Sequence, residues 1–404
     1  MATIMKSKLF RSGLLLFLWL GFGSLASAVE IQFETEIQLE DPDAVMDPAE
    51  AFIHEVEVES DDTRSFDDFM ELYGSEPVSV LEPVRGRQPA RITLRGMTAV
   101  GIEVVDAQGG EIEYPLEGFA RTFQFVPDRE KLAQANALFS EGEVDEALDL
   151  IRQVTYPLIQ FVELPIERVP SIHSGIIYLK DRLIRTGRAE ELVELMRRIP
   201  EDRISSPVYE SAYRAGLLLA VRRGLEEDAQ SLAERLRVRG ARRDLEASMV
   251  LETAHALRGR DVVRGASQLY GKISAALPAD SPIWREAKLW EAYLEVIQAR
   301  PTAAASILER EIGDLDRGDR LFSLRRLVEA RIALNEGRSK DALLLLSEGV
   351  VFGDVQVPWY AELLFVTAMA YYRLDKPAVA DEIRDQVGFF FPDSVWAARS
   401  LSDT

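Results

Sequence analysis

The stretch AMAYYRLDKPAVADEIRDQVGFFFPDSVWA, residues 368–397, decides the fold. Its apolar residues follow a helical period, break at Asp375, and resume until Phe391-Pro392. Two helices joined by a short turn are the reading. The same two-part pattern recurs backwards as far as Asp128. Breaks carrying glycine or an equivalent turn residue fall at Gly142, Gly187, Gly224, Gly259, Pro301, Gly337 and Asp375, spaced by 45, 37, 35, 42, 36 and 38 residues. Second stretches run into Leu164-Pro165, Ile199-Pro200, Leu277-Pro278 and Phe391-Pro392. One amphipathic hairpin cannot bury its apolar face, but neighbours stacked on both sides can. A period near this length therefore predicts a solenoid of about seven helical hairpins over residues 128–404.

The final unit resembles a tetratricopeptide repeat. Ala368 and Ala380 stand at the two small-residue positions where paired helices approach closely, Tyr371 at the aromatic position, Asp375 where glycine is usual, and Pro392 at the end of the second helix. The segment LVEARIALNEGRSKDALLLL places Ala330, Gly337 and Ala342 in the same register, and AQANALFSEGEVDEALDLI places Ala135, Gly142 and Ala147. The middle units keep the period but lose much of the pattern, and in the second and fourth the small residues are missing. The resemblance implies a superhelix whose concave face is lined by the first helix of each pair. It also implies that Arg214, Arg331, Tyr372 and Arg373 face that groove, where arginine and aromatic side chains would dominate contact with a protein or peptide.

Upstream, residues 84–127 alternate polar and apolar positions. Ile92, Leu94, Ile102, Val104, Ile112 and Tyr114 are spaced for strands, and Ala107-Gln108-Gly109-Gly110 supplies a hairpin turn. Gly96 and Gly101 mark a bend or bulge. The expectation is a small β module of three or four strands, with Phe119, Phe123, Phe125 and Val126 closing it against the helices. Residues 29–83 carry 18 Asp and Glu against Arg64, most of the net charge of −21. Self-repulsion predicts an extended or partly disordered acidic segment, with one or two edge strands at most. Asp41, Asp43, Asp47 and Glu50 do not follow the calcium-loop pattern, since Pro42 intrudes and the loop glycine is missing.

The first 28 residues read as a cleavable signal peptide. Lys6, Lys8 and Arg11 precede an apolar run from Leu14 to Leu25, then Ala26-Ser27-Ala28. That run is shorter than the ~20 residues a spanning helix needs. The chain has no cysteine, which excludes disulfides, a thiol nucleophile, cysteine-ligated zinc and a cysteine-linked lipid anchor. A mature protein of the bacterial periplasm, or secreted, is expected, with no transmembrane segment. Its acidity argues against nucleic acid, which needs a basic surface.

Catalytic constellations were sought among the three histidines, His54, His173 and His255, which lie far apart without a metal or hydrolase motif. Acidic neighbours such as Glu190/Glu191 and Glu226/Glu227 are expected by chance in so acidic a chain, and Arg325 and Glu329 sit at helical pairing distance. The reading is a non-enzymatic scaffold of the cell envelope that needs no cofactor or metal and binds a partner protein or peptide. The alternatives are an exported polysaccharide-active enzyme on a helical frame, or a structural subunit of a secretion or surface complex.

Overall fold

The computed structural model describes residues 64–401 apart from 85, 87 and 205. The leader and the acidic stretch through residue 63, with His54 and the Asp41–Glu50 carboxylates, lie outside the described residues. The described residues begin with helix α1 (Phe66–Tyr73), capped by Ser65: its hydroxyl accepts from the Asp68 amide at 3.2 Å while the Asp68 carboxylate accepts from the Ser65 amide at 2.7 Å. Five antiparallel strands follow: β1 (Val78–Glu82), β2 (Ala90–Met97), β3 (Gly101–Val105), β4 (Glu111–Pro115) and β5 (Gln124–Phe125), in the order β4-β3-β2-β1-β5. The sheet thus has five strands where three or four were expected. It also reaches upstream of residue 84, because β1 lies between β2 and β5.

The register of β2 against β3 slips between Leu94 and Gly96, the bulge that Gly96 suggested. Val80, Leu94, Ile102, Val104 and Phe123 are buried, whereas Ile112 is exposed despite its strand spacing. The sheet joins the helices through its last strand. The Phe125 amide donates to Ser171 Oγ at 2.6 Å, and the Phe123 amide to the Arg168 carbonyl at 2.9 Å.

Seven helical hairpins make up the remainder of the described residues. Their helices are α2 (Arg129–Glu141) with α3 (Val144–Ile159), α4 (Pro170–Arg185) with α5 (Ala189–Arg198), and, after the single turn α6 (Glu201–Ile204), α7 (Glu210–Arg222) with α8 (Glu226–Arg235). Then come α9 (Arg243–Gly259) with α10 (Val263–Ala276), α11 (Pro282–Ile297) with α12 (Pro301–Ile307), α13 (Phe322–Asn335) with α14 (Ser339–Phe352), and α15 (Tyr360–Arg373) with α16 (Pro377–Phe390). The protein is a mostly α, tetratricopeptide-like solenoid preceded by a small antiparallel sheet. α12 is short and runs on into a π-turn, Leu308–Ile312.

Every hairpin turns on one residue with positive φ: Gly142, Gly187, Gly224, Asp261, Ala299, Gly337 and Asp375. Each turn closes with the same pair of bonds. In the sixth, the Gly337 amide donates to the Leu334 carbonyl and the Arg338 amide to the Ala333 carbonyl. Two turns therefore differ from the sequence reading. Gly259 is the last residue of α9, and the left-handed residue is Asp261. Pro301 is the first residue of α12, where a fixed φ and a missing N–H suit helix initiation, and the turn is at Ala299.

With these two turns placed, the spacing becomes 45, 37, 37, 38, 38 and 38 residues. The small-residue pattern extends with it. Seven residues before and five after the turn stand Ala254 and Ala266 in the fourth hairpin and Ala292 and Ala304 in the fifth, all fully buried. They match Ala135 and Ala147, Ala330 and Ala342, and Ala368 and Ala380, equally buried. Tyr371 packs partly buried against the core, and Pro392 follows the end of α16. The second and third hairpins depart from the pattern, with Lys180 and Leu192 at these positions in the second and Leu217 beside Ala229 in the third, all buried.

Ala299 carries a side chain at φ 58°, a region that disfavours Cβ, and it is solvent-exposed. Ala299→Gly should raise unfolding stability by about 1 kcal/mol in a urea titration. An unchanged or lowered midpoint would show that this turn carries no such strain.

Candidate functional site

The residues that the repeat register sends to the inner face come from the first helices α9, α11, α13 and α15. Arg258 on α9 reaches Glu362 on α15, 104 residues away, with Nη1 donating to Oε2 at 2.6 Å. Tyr293 on α11 donates its hydroxyl to the other oxygen of Glu362. The fourth and seventh hairpins therefore meet directly across the inside of the superhelix. The Arg258 guanidinium also lies 3.8 Å from the Trp290 ring centre. Burial opposes the charge on Arg258, yet Glu362 and the neighbouring tyrosines raise its pKa, and burial pushes the Tyr270 and Tyr293 phenols up.

Around this pair sits a second polar cluster. His255 on α9 faces the Tyr270 hydroxyl at 2.7 Å through Nδ1 and Glu286 Oε1 at 3.2 Å through Nε2. A carboxylate can only accept, so Nε2 carries a proton and Nδ1 takes the tyrosine's. Burial lowers the His255 pKa, outweighing the opposing pull of Glu286. Arg320 donates to the other oxygen of Glu286 at 3.3 Å.

Beyond the Arg258–Glu362 pair the chain's own C-terminal tail covers the inner face. Trp396 packs on Phe365 of α15 with ring centres 5.2 Å apart, and Arg399 binds both oxygens of Asp261 at 2.7 Å. Under the tail lies a pocket of about 250 Å³ lined by Arg258, Arg331, Arg373 and Arg399 with Asp261, Tyr293, Trp396 and aliphatic residues of α10 and α11.

The structure brings two of the four expected groove residues into this pocket, Arg331 and Arg373, the latter donating to the Leu334 carbonyl at 2.9 Å. Arg214 lies apart, paired with Glu252 between α7 and α9, and Tyr372 is half exposed on α15 without lining the pocket. Other first-helix residues serve repeat packing. Tyr213 donates to the Leu232 carbonyl at 3.2 Å and Arg285 pairs with Asp319 at 3.1 Å, while Arg325 pairs with Glu329 at 2.9 Å within α13.

Sequence reasoning missed the Arg258–Glu362 pair because its partners are remote in sequence. It missed Glu191 too, although an acidic pair was noted there. Glu191 is buried, bound twice by Arg152 at 3.0 and 2.6 Å and by the Tyr156 hydroxyl at 2.6 Å. Phe66 and Phe69 of α1 pack against Tyr156, one tilted and one edge-on, so α1 closes over this ion pair at the N-terminal hairpins. His173 is also buried, its Nε2 donating to the Leu164 carbonyl at 2.9 Å and its Nδ1 accepting from Tyr209 at 2.6 Å. Burial pulls its pKa down to about 4.

Among the described residues no group of His, Asp and Glu is arranged to hold a metal ion, and no helix is long and apolar enough to cross a membrane. No protein-family model and no curated protein matches the chain. Among solved structures it is similar to a tetratricopeptide repeat protein from Parabacteroides merdae, at 13% identity and a TM-score of 0.38, over 64% of this chain and 91% of that one.

Two predictions follow from the buried charges. Glu362→Gln leaves Arg258 without a counter-charge and should lower unfolding stability by about 3 kcal/mol, with Arg258→Met in the same chain restoring part of it. A loss below measurement would mean that the pair does not hold the inner face together. Lys180 is fully buried, its Nζ has no hydrogen-bond partner among the described residues, and burial pulls its pKa down to about 7. Well above pH 10 it is neutral whether folded or unfolded. As pH falls towards 7 the unfolded chain takes up the proton first, so the folded state loses stability. Lys180→Met should therefore stabilise by on the order of 3 kcal/mol at pH 7 and by much less near pH 10. Equal effects at both pH values would refute the assignment.

Proposed function

We propose that this protein is an exported, non-enzymatic scaffold of the bacterial cell envelope that holds a partner protein or peptide. One observation carries the reading. Large apolar side chains are exposed mainly on the last two hairpins, with Leu344 68%, Val351 71%, Phe389 78% and Phe390 63% accessible. Leu344 and Val351 lie seven residues apart on one face of α14, and Val379 and Phe390 eleven apart on one face of α16. A solenoid end normally carries a polar outer face, since no further repeat covers it. Here α16 buries only Ala380 and Val387.

Apolar surface gathered in this way is the kind that marks protein contact sites. The inner face of the last four hairpins is an unsuitable seat for a long extended partner, because the chain's own tail crosses it. The partner surface is accordingly placed on the second helices at the C-terminal end. Export rests on the leader, with Lys6, Lys8 and Arg11 before the apolar run and Ala26-Ser27-Ala28 after it.

A photo-crosslinking residue placed at Phe389 in the native cells tests both parts. The expected result is an adduct with one envelope protein, absent when the crosslinker replaces Gln108 in the β3–β4 turn and lost in a Leu344→Ser/Phe390→Ser chain of unchanged thermal stability. The same purified chain should begin at Val29. Adducts at both positions, or at neither, would overturn the docking surface, and an intact N-terminus would overturn export by signal cleavage.

A further inference from the structure

We propose that the pocket beneath the C-terminal tail is a binding site for a small organic carboxylate with an apolar body. The charges define the ligand's polar end. Four arginines line the pocket, and Glu362 and Asp261 answer two of them, Arg258 and Arg399. Arg373 is occupied in part by the Leu334 carbonyl.

Arg331 is different. Its side chain is only 9% exposed, yet no carboxylate pairs with it among the described residues. Its guanidinium lies 5.5 Å from the Tyr293 ring centre, Nη1 meets the Met369 sulfur at 3.8 Å, and Nε has no hydrogen-bond partner among the described residues. The Nε of Arg258, on the same pocket wall, is also without one. A buried charge facing a ring and a thioether is poorly compensated, and a planar guanidinium fork is matched in geometry by a carboxylate.

The walls define the rest of the ligand. Val263, Leu294, Ile297 and Trp396 face the same space, so an oxyanion alone would leave them uncovered. The volume of about 250 Å³ lies below the ~300–1,000 Å³ usual for drug-sized ligands, which limits the occupant to a small molecule. The Arg399–Asp261 pair pins the tail that carries Trp396, so the site is assembled only when the tail is in place. This site stands apart from the outward apolar surface proposed above, and each can fail without the other.

Benzoate is the probe, titrated calorimetrically into the full mature chain beside benzamide and inorganic phosphate. Benzoate should bind with a dissociation constant below about 1 mM, and benzamide and phosphate at least tenfold more weakly. Arg331→Met keeps the unbranched stem and removes the charge. It should weaken benzoate at least tenfold while leaving the thermal midpoint unchanged or raised, because an uncompensated charge has gone. Benzamide binding as well as benzoate would overturn the proposal. So would phosphate binding in its place, no binding at about 10 mM benzoate, or undiminished binding by Arg331→Met. Should Arg331→Met fail to fold, the comparison of the three probes on the unaltered chain still decides.

Discussion

Each hairpin turns on one residue held at positive φ, and the position of that residue sets where the two helices cross. Seven residues before it and five after it, the backbones approach closely enough that alanine is the usual occupant. Helix phase, turn and crossing point are thus one constraint. Shifting the turn by two residues would rotate a helix by more than half a turn and carry its small residue off the contact face. The regular 37- or 38-residue interval over the last six turns shows how strictly the stack holds it.

This constraint explains what could be read in advance and what could not. Where glycine, or the Asp375 analogue, occupies the turn, the chain announces its own register, and the first, sixth and seventh hairpins were legible. In the fourth and fifth, Asp261 and Ala299 occupy the turn while the conspicuous Gly259 and Pro301 stand two residues to either side. Counting from those residues displaced the register and made the alanines of the fourth unit seem absent. The sheet was half legible for a related reason. Its β3–β4 hairpin carries Gly109 at the turn, but β1 lies among carboxylates whose mutual repulsion suggested an extended segment. Burial of Val78 and Val80 between β2 and β5 outweighs that repulsion.

The polar contacts between hairpins were invisible to periodicity, which reports faces and not partners. Arg152–Glu191 lies under α1 near the N-terminal end, and Arg258–Glu362 lies inside the last four hairpins. Replacing a buried ion pair by apolar groups often leaves stability unchanged or improved, so these pairs are weak sources of stability as such. Their geometry suggests a different role. Stacked hairpins with similar alanine crossings are nearly interchangeable in packing terms, whereas a carboxylate gripped at both oxygens, Glu191 by Arg152 and Tyr156 and Glu362 by Arg258 and Tyr293, is satisfied in one arrangement only. Arg258 meeting Glu362 and Tyr293 together fixes how far four hairpins must curl.

That curl decides which surfaces are left for other molecules. Where Arg258 of α9 reaches Glu362 of α15 and the tail crosses them, the inner face holds a small arginine-lined pocket. Meanwhile the second helices α14 and α16 keep Leu344, Val351, Phe389 and Phe390 in solvent. An open solenoid of the same length would offer a long concave seat and need no exposed aromatic end. The two features are therefore linked: with the inside crossed by the tail, the apolar surface exposed by the last hairpins lies outside, where the proposed partner would dock, and the inside is left for the proposed small carboxylate.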